Sequence, residues 1–201
     1  ASGKTTSLNA VSMFIPPKSK VISIEDTREI TLPHTNWVQN TTRESYSSGG
    51  SSAIGMYELL QASLRQRPEY LLVGEIRTEP DVALAFFQAM ATGHTACTTF
   101  HADSIGTVLS RLQNPPLEVP EQMIQELDII CVQRQVQGDE ARVRRNTNIT
   151  EISKGDGLQR HQVYDWNPNS DIFDSQGESK KLEALRRARG WSAARLQQEF
   201  R

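Results

Sequence analysis

Six residues at the start of the sequence have the types and order of a phosphate-binding loop. The pattern G-x-x-x-x-G-K-[ST] ends in glycine, lysine and a hydroxyl residue, and the chain opens with the sequence ASGKTT. Glycine lets backbone N–H groups close around a phosphate, lysine brings a positive charge to it, and the threonine hydroxyl reaches Mg²⁺. We therefore expect phosphate contacts from Ser2, Gly3, Lys4, Thr5 and Thr6. We also expect the first half of the loop to lie upstream of this sequence. The alternative for so short a match is a helix with a serine cap.

Carboxylates follow two apolar, strand-like runs. Glu25-Asp26 come directly after 21–24, and Glu75 ends the run 70–75. The carboxyl ends of parallel strands meet at one edge of a sheet, where open α/β sheets bind their ligands, so both positions can face a nucleotide at Lys4. A strand ending in glutamate has the form of a Walker B element, whose carboxylate orients Mg²⁺ and water. The alternative is a set of solvated loop acids.

Two histidines flank a third strand-like run. His94 and His101 stand at either end of the sequence TACTTF. A single histidine is more often structural or on the surface than functional, so each of the two has that alternative. From the residues alone, each histidine is only a candidate for a functional role.

Hydrophobic periodicity predicts the elements that must position these residues. A first helix is expected after the opening motif, from the helical spacing of Leu8, Ala10, Val11 and Phe14. Further helices are expected over 53–67, 79–92 and 104–112, and briefly from Pro120. Strands are expected over 21–24, 70–75, 94–101, 128–136 and 159–166. The segment 32–52 is expected to be a loop or irregular ribbon. Alternating strands and helices are typical of a parallel α/β sheet.

The last third of the sequence has a different character. After the strand 128–136, the runs 142–146 and 149–152 alternate like hairpin partners. Three arginines in this region, Arg142, Arg144 and Arg145, suggest nucleic acid, but a solvated hairpin edge protected by charge is the favoured explanation. A polar, turn-rich segment follows over 167–177, and the tail from 180 reads as two helices broken at Gly190.

Composition excludes several classes of protein. The 201 residues suit one domain, or one domain with a tail, and 22 basic against 24 acidic residues give no bulk charge for nucleic acid or an anionic membrane surface. Two cysteines, Cys97 and Cys131, lie in strand-like runs and are expected to be reduced core thiols. Two isolated cysteines cannot form a metal cluster alone, and no apolar run approaches the roughly 20 residues of a membrane helix.

The ordered motifs resemble those of the type II/type IV secretion ATPases, the hexameric motors of secretion, pilus and archaellum assembly. The resemblance rests on four segments over about 154 residues, and more loosely to 166: GKTT at the start, IEDT over 24–27 as the Asp box, LVGEIR over 72–77 as Walker B, and GH over 93–94 with TFHA over 99–102 as the His box. Shorter segments resemble the archaeal branch: LPH and NW over 32–37, RQRP over 65–68 and QAMATG over 88–93.

This resemblance implies a fold and a division of the chain. We expect an α/β, RecA-like P-loop NTPase domain with a central, mostly parallel sheet, an antiparallel hairpin extension and a small helical C-terminal tail. The expected boundaries are 1–154 for the ATPase domain, 155–178 for a strand and polar connector, and 179–201 for the tail.

The resemblance also implies site residues. Lys4 is expected to bind phosphate, Thr5 and Glu75 to hold Mg²⁺, the latter through water, and Glu25 to act as the general base. His94, His101 and Arg77 are the candidates for coupling or sensing, with pairing of Arg77 to Glu79 or Asp81 as the alternative. Arg43 and Arg65 are candidates for basic residues at a subunit or domain interface.

The implied activity is ATP hydrolysis with Mg²⁺ by a homo-oligomer, expected to be a hexamer. The implied partner is a polytopic membrane platform protein. The implied location is the cytoplasm, peripheral at the cytoplasmic face of the membrane, and no nucleic acid partner is expected. Since the loop is cut and no N-terminal domain is included, the chain alone is expected to bind ATP weakly and hydrolyse it negligibly. Two departures are the lack of a four-cysteine zinc module and Thr78 where many members have an acid. The competing functions are a RecA-like nucleic-acid translocase and an inactive oligomerisation fragment.

Overall fold

The computed structural model describes residues 2–43, 53–138, 141–155 and 157–199. Within it the chain forms two compact units, residues 1–126 and 127–201. The boundary expected at residue 154 lies near the end of a strand in the second unit, and the functional division of the chain stays a prediction.

The first unit contains the helices and strands that the periodicity predicts, together with one strand that it does not. Its elements are α1 (Lys4–Ser12), β1 (Val21–Glu25), β2 (Trp37–Thr41), α2 (Met56–Leu64), β3 (Tyr70–Ile76), α3 (Pro80–Ala91), β4 (Thr95–Phe100), α4 (Ile105–Gln113) and α5 (Glu121–Ile124). The four strands form one parallel sheet in the order β2-β1-β3-β4.

The centre of this sheet is mostly apolar, and Ser23 is a buried polar residue within β1. Val21, Ile22 and Ile24 of β1 and the segment 71–73 of β3 are buried, and Phe86 and Phe87 of α3 are buried as well. Complete burial of one such side chain stabilises the fold by about 1.5–3 kcal/mol. The buried strands therefore hold their carboxyl ends, and the acids there, in fixed positions.

Strand β2 corrects the prediction of a loop or irregular ribbon over 32–52. Residues 37–41 pair in parallel with β1, from Val21 opposite Trp37 to Glu25 opposite Thr41, while 44–52 lie outside the described residues. The Trp37 indole N–H donates to Ser23 Oγ at 2.9 Å. An edge strand tolerates half-buried polar residues when tertiary pairing supplies its hydrogen bonds, so the local sequence does not reveal it.

Helix α1 buries less than its periodicity suggests. Leu8 packs in a core cluster with Ile15 and Leu72, but Val11 is 60% exposed and Phe14, just beyond the helix, is 88% exposed. The apolar spacing predicted the helix correctly and overstated its buried face.

The second unit is antiparallel. It contains β5 (Ile129–Gln137), β6 (Arg142–Gly155), β7 (Gly157–Asn167), β8 (Ile172–Ser175), α6 (Lys180–Arg189) and α7 (Ala193–Glu199), with the sheet order β5-β6-β7-β8. The runs 142–146 and 149–152 are not partners of each other: both lie in β6, which pairs with β5 and β7. Register shifts near Val132 and Ile149 let one long strand keep both pairings. The segment 167–177, expected to be turns, contributes β8.

The tail has the two helices that the sequence predicts. Gly190 ends α6 with φ of 61°, a left-handed conformation that favours glycine. Buried Glu151 of β6 accepts the backbone N–H of Lys180 at 2.8 Å and the Ser179 hydroxyl, which fixes the start of α6. Among the described helices, none has the length and hydropathy needed to cross a lipid bilayer. The fold class predicted from the sequence is confirmed, with a four-stranded sheet in place of a simple hairpin.

Candidate functional site

The N-terminus of α1 presents backbone donors without a side-chain cap from the described residues. Gly3 precedes the helix with φ of 95°, a conformation that a Cβ would strain, and its carbonyl accepts the first helical bond from Ser7 at 2.9 Å. The N–H groups of the first turn, from Lys4 to Thr6, have no partner earlier in the helix. Together with the helix dipole, they form an environment that favours an anion.

Lys4 connects this helix to two strands of the sheet. Its ammonium lies 3.9 Å from Glu75 Oε1, with 27% and 25% of the two side chains exposed. It also lies 3.4 Å from His101 Nδ1. Because an ammonium only donates, the ring nitrogen that faces it is the acceptor. The sequence-predicted Lys4, Glu75 and His101 therefore come together at the carboxyl edge of the sheet.

Arg77 extends this charged cluster towards β1. Its Nε donates to Glu75 Oε2 at 2.9 Å, and one terminal nitrogen lies 3.5 Å from Asp26 Oδ2. The hydrogen bond to Glu75, followed by the negative charges of Glu75 and Asp26, raises the pKa of Arg77 above its ordinary value. Among the described ion pairs Arg77 does not bind Glu79 or Asp81, and Glu79 accepts the Thr78 N–H at 3.0 Å instead. Arg77 therefore links the ends of β1 and β3.

Glu25 lies at the same edge but faces its own loop. Its side chain is buried, with 3% of the residue exposed, and Oε1 accepts the backbone N–H groups of Glu29 and Ile30, both at 2.9 Å. These two bonds fix the turn that follows β1, next to exposed Asp26. In this arrangement Glu25 has the contacts of a residue that positions the loop, and its predicted role as a general base remains a prediction.

Gly74 makes the close approach of β1 and β3 feasible. The pairing of β3 with β4 shifts register between Val73 and Glu75, so Gly74 lies in a bulge. A Cβ built there would lie 3.2 Å from Glu25 Cγ. The Thr99 hydroxyl of β4 donates to the Gly74 carbonyl at 2.6 Å and holds the bulge. The bulge directs Glu75 towards Lys4 while leaving space for Glu25.

Three predicted residues lie outside this cluster. His94 precedes β4 at the amino edge of the sheet, opposite Lys4, where its Nδ1 lies 3.2 Å from the Ala89 carbonyl oxygen. It borders a cleft of about 390 Å³ there. Arg65 follows α2 at this same amino edge. Arg43 follows β2 at the carboxyl edge, where its backbone bridges to Ile54.

Few residues would hold Mg²⁺, which agrees with the small number of protein ligands that this ion usually takes. No cluster of three or more histidine, cysteine, aspartate or glutamate side chains suitable for a metal occurs among the described residues. Magnesium usually keeps several waters and takes one or two protein ligands together with substrate phosphates. Half-buried Thr5 in the first turn of α1, with Glu75 beside Lys4, fits that donor set.

The site residues predicted from the sequence leave out two residues that make contacts at this site, Asp26 and Arg111. Asp26 was recognised as part of an acid pair, but its ion pair with Arg77 depends on the approach of β1 and β3. Arg111 of α4 lies over the Phe100 ring and donates to the His101 carbonyl oxygen. An arginine in an amphipathic helix carries no local signal of such a contact.

Comparison with known proteins places the chain among secretion proteins. The family model described as "Type II/IV secretion system protein" matches residues 1–184. The uncharacterized protein MJ1287 of Methanocaldococcus jannaschii is 47% identical over 189 residues, which cover 92% of this chain and 69% of that protein.

Solved structures agree with the fold. The VirB11 ATPase of the Brucella suis type IV secretion system, in complex with sulphate, is 28% identical with a TM-score of 0.57, over 72% of this chain and 44% of that one. The pilus retraction motor PilT with bound ADP is 27% identical with a TM-score of 0.54, over 71% of this chain and 42% of that one. The chain thus spans less than half the length of both of these solved structures.

Proposed function

Because the chain belongs to the type II/IV secretion system protein family, we propose that it is the motor part of an ATPase that hydrolyses Mg-ATP for a secretion, pilus or archaellum assembly machine. The solved relatives include a secretion ATPase and a pilus motor with bound ADP. Their names supply the reaction class, and the geometry of this chain supplies the residue roles.

One observation carries the proposal: Lys4, Glu75 and His101 meet at the N-terminus of α1. Lys4 lies 3.9 Å from a Glu75 oxygen and 3.4 Å from His101 Nδ1. Three segments far apart in sequence thus contribute a cation, a carboxylate and an imidazole beside the N-terminus of α1. Phosphoryl transfer requires this kind of positioned charge more than covalent catalysis.

The proposed phosphate contacts come from α1. The first-turn N–H groups and the Lys4 ammonium bind the terminal phosphates of ATP, with Ser2 and Gly3 beside them. Thr5 and Glu75 are proposed to hold Mg²⁺, Glu75 through water. The metal supplies charge neutralisation on the phosphate oxygens when it is bound. Arg77 holds the Glu75 carboxylate in place from the other side.

The proposed base is Glu25, acting through the oxygen that does not bond the loop. Hydrolysis forms a bond between a water oxygen and the γ-phosphorus and breaks the bond between that phosphorus and the β,γ-bridging oxygen, which gives ADP and inorganic phosphate. Oε2 of Glu25 is assigned the proton of the attacking water, while Oε1 keeps its bonds to Glu29 and Ile30.

The remaining roles belong to the proposed assembly. We assign His101 and Arg77 to sensing the nucleotide, and His94, at the opposite edge, to coupling with a neighbouring domain or subunit. Arg43 and Arg65 are assigned to such interfaces. The assembly proposed is a hexameric ring on the cytoplasmic face of a membrane, bound peripherally through a polytopic platform protein and without nucleic acid.

The direct test is ATP turnover by the full-length gene product and its Glu75→Gln variant. The substitution keeps the size of the side chain and removes the charge beside Lys4. We expect phosphate release to fall at least roughly 100-fold, as with loss of one positioned charge at a phosphoryl-transfer site. Binding of a fluorescent ATP analogue should persist.

Glu178→Gln is the matched control, since Glu178 is exposed in the second unit. It should retain wild-type turnover. Wild-type turnover in Glu75→Gln would reject the assigned site, and stimulation by DNA that weakens with salt would favour a translocase instead. Mass photometry with Mg-ATP tests the hexamer separately.

A further inference from the structure

We propose that Arg111 is a positioning residue that holds His101 against Lys4. The inference rests on the proposed function, because His101 matters there through its contact with the phosphate-binding lysine. Strand β4 ends at Phe100, His101 follows it, and Arg111 lies two turns into α4. Arg111 thus reaches back from the helix to the end of the preceding strand.

Arg111 makes two contacts with consecutive residues. Its guanidinium carbon lies 5.3 Å from the centroid of the Phe100 ring. One terminal nitrogen donates to the carbonyl oxygen of His101. A planar guanidinium can stack on an aromatic face and donate within its own plane at the same time, which an ammonium cannot do. The arginine therefore fixes both the ring before His101 and the backbone of His101.

The rest of the turn has its own support. Ser104 Oγ accepts the Thr107 N–H at 3.1 Å, and the Thr107 hydroxyl donates to Asp103 Oδ1 at 2.7 Å. These bonds cap the start of α4. They do not reach His101, whose backbone is held by Arg111 between the strand and the cap.

The contact between His101 and Lys4 depends on this support and tolerates little displacement. His101 Nδ1 and Lys4 Nζ are 3.4 Å apart, near the outer limit of a hydrogen bond, so a displacement of His101 by about 1 Å breaks it. Arg111 does not touch Lys4 in the described contacts. Its effect on the nucleotide site passes through His101, and the phosphate contacts of α1 do not require it.

The kinetic expectation is a loss in turnover with little loss in binding. Arg111→Met keeps an apolar stem against Phe100 and removes the donor to His101. We expect kcat to fall roughly tenfold, as for a modest misplacement of a positioned group, with KM changed by less than about twofold. Arg111→Lys keeps a charge and a donor and should be intermediate. Arg160→Ala, an exposed arginine of β7, is the control.

A double-mutant cycle separates positioning from general stability. If Arg111 acts through His101, adding Arg111→Met to His101→Ala lowers kcat no further. Additive losses in the full-length gene product would overturn the proposal. If Arg111→Met does not fold, Phe100→Leu replaces it in the cycle, because it removes the stacking surface and leaves the arginine.

A measurement without ATP keeps this inference distinct from the proposed function. Ring ¹⁵N spectra of histidine-labelled protein assign His101, one of four histidines, by its loss in His101→Ala. We expect an acceptor Nδ1 in the wild type, a shifted signal in Arg111→Met, partial recovery in Arg111→Lys and no change in Arg160→Ala. An unchanged His101 signal in Arg111→Met overturns the inference. If the wild type shows no ATP turnover but the spectra change as expected, the proposed ATPase function is rejected and the inference about Arg111 stands.

Discussion

The Lys4 ammonium and the Glu75 carboxylate lie 3.9 Å apart, one at the start of a helix and the other near the end of a parallel strand. Glu75 also bonds Arg77 at 2.9 Å. Glu75 therefore lies between two cations, and only Lys4 also belongs to the proposed phosphate-binding segment. The effects of Lys4 and Arg77 can be separated by substituting one of them at a time.

Lys4→Ala is expected to weaken binding of ATP by roughly 10–100-fold, the range for loss of a charged hydrogen bond. Arg77 still balances Glu75, so the melting temperature should change little. Titration with a fluorescent ATP analogue measures the affinity in the full-length gene product. Lys18→Ala, an exposed lysine after α1, should bind like the wild type. Equal affinity in the Lys4 variant would contradict the role of Lys4.

Glu25→Gln tests whether the buried acid is a base or only a support. A glutamine oxygen can still accept from Glu29 and Ile30, so the loop and the melting temperature should be nearly retained. A general base contributes about 10²–10⁴-fold, and turnover should fall in that range with ATP still bound. Turnover within threefold of wild type would leave Glu25 a positioning role alone.

Gly74→Ala is expected to destabilise the first unit by about 1–3 kcal/mol, as for overpacking. The new Cβ would lie 3.2 Å from Glu25 Cγ and 3.5 Å from the Ile24 carbonyl oxygen, at a half-buried position of β3. Denaturant unfolding measures the change. Gly106→Ala in α4 is the matched control, because a Cβ there would have only Ser104 Oγ nearby, at 3.9 Å. A Gly74 variant as stable as that control would show that the strands separate readily.

Asp171→Asn is expected to destabilise the second unit at neutral pH but not near pH 2. Arg145 binds the Asp171 carboxylate through two nitrogens, both at 2.6 Å, and with Trp166 lowers its pKa from 3.8 to about 2. A lowered folded-state pKa means that the stabilisation is present above about pH 4 and is lost as pH falls towards 2. Asparagine tolerates the φ of 54° at this position.

Thermal melts followed by tryptophan fluorescence measure this difference between Asp171→Asn and the wild type. The difference isolates Asp171 from Glu183, whose pKa is also lowered to about 2 by Arg186 and Arg187. The effect should be small, since the pair is exposed. A difference that persists unchanged at pH 2 would rule out the ion pair as its cause.

Glu151→Ala is expected to release α6 from the second sheet. The buried carboxylate accepts the Lys180 N–H at 2.8 Å and the Ser179 hydroxyl, and loss of such partners costs about 1–3 kcal/mol. Hydrogen exchange followed by mass spectrometry should speed up over 180–189 before the β strands. Exposed Glu178→Ala is the control. Unchanged exchange in the Glu151 variant would assign the helix to other contacts.

Much of the first unit follows from local patterns. The β-branched run 21–24 predicts β1, the apolar run 70–75 predicts β3, and the apolar spacing within 79–92 predicts α3. Strand β2 could not be predicted in the same way, because half-buried polar residues in an edge strand depend on hydrogen bonds from β1. The same applies to β8, which depends on β7.

The sequence by itself determined which chemical groups are available: a glycine and lysine before a helix, acids after buried strands, and a histidine after β4. Parallel pairing then makes it predictable that Glu25, Glu75 and His101 share an edge, because carboxyl ends of parallel strands coincide.

Only the tertiary structure decided the contacts among them. In the tertiary structure the Glu25 side chain faces the loop that follows β1, Arg77 lies between Glu75 and Asp26, and His94 lies at the opposite edge of the sheet. Side-chain direction at the end of a strand depends on bulges and on neighbouring strands, as Gly74 shows, and residues far apart in sequence supply those neighbours. Residue types define the chemistry at Lys4, and packing between elements defines which group faces it.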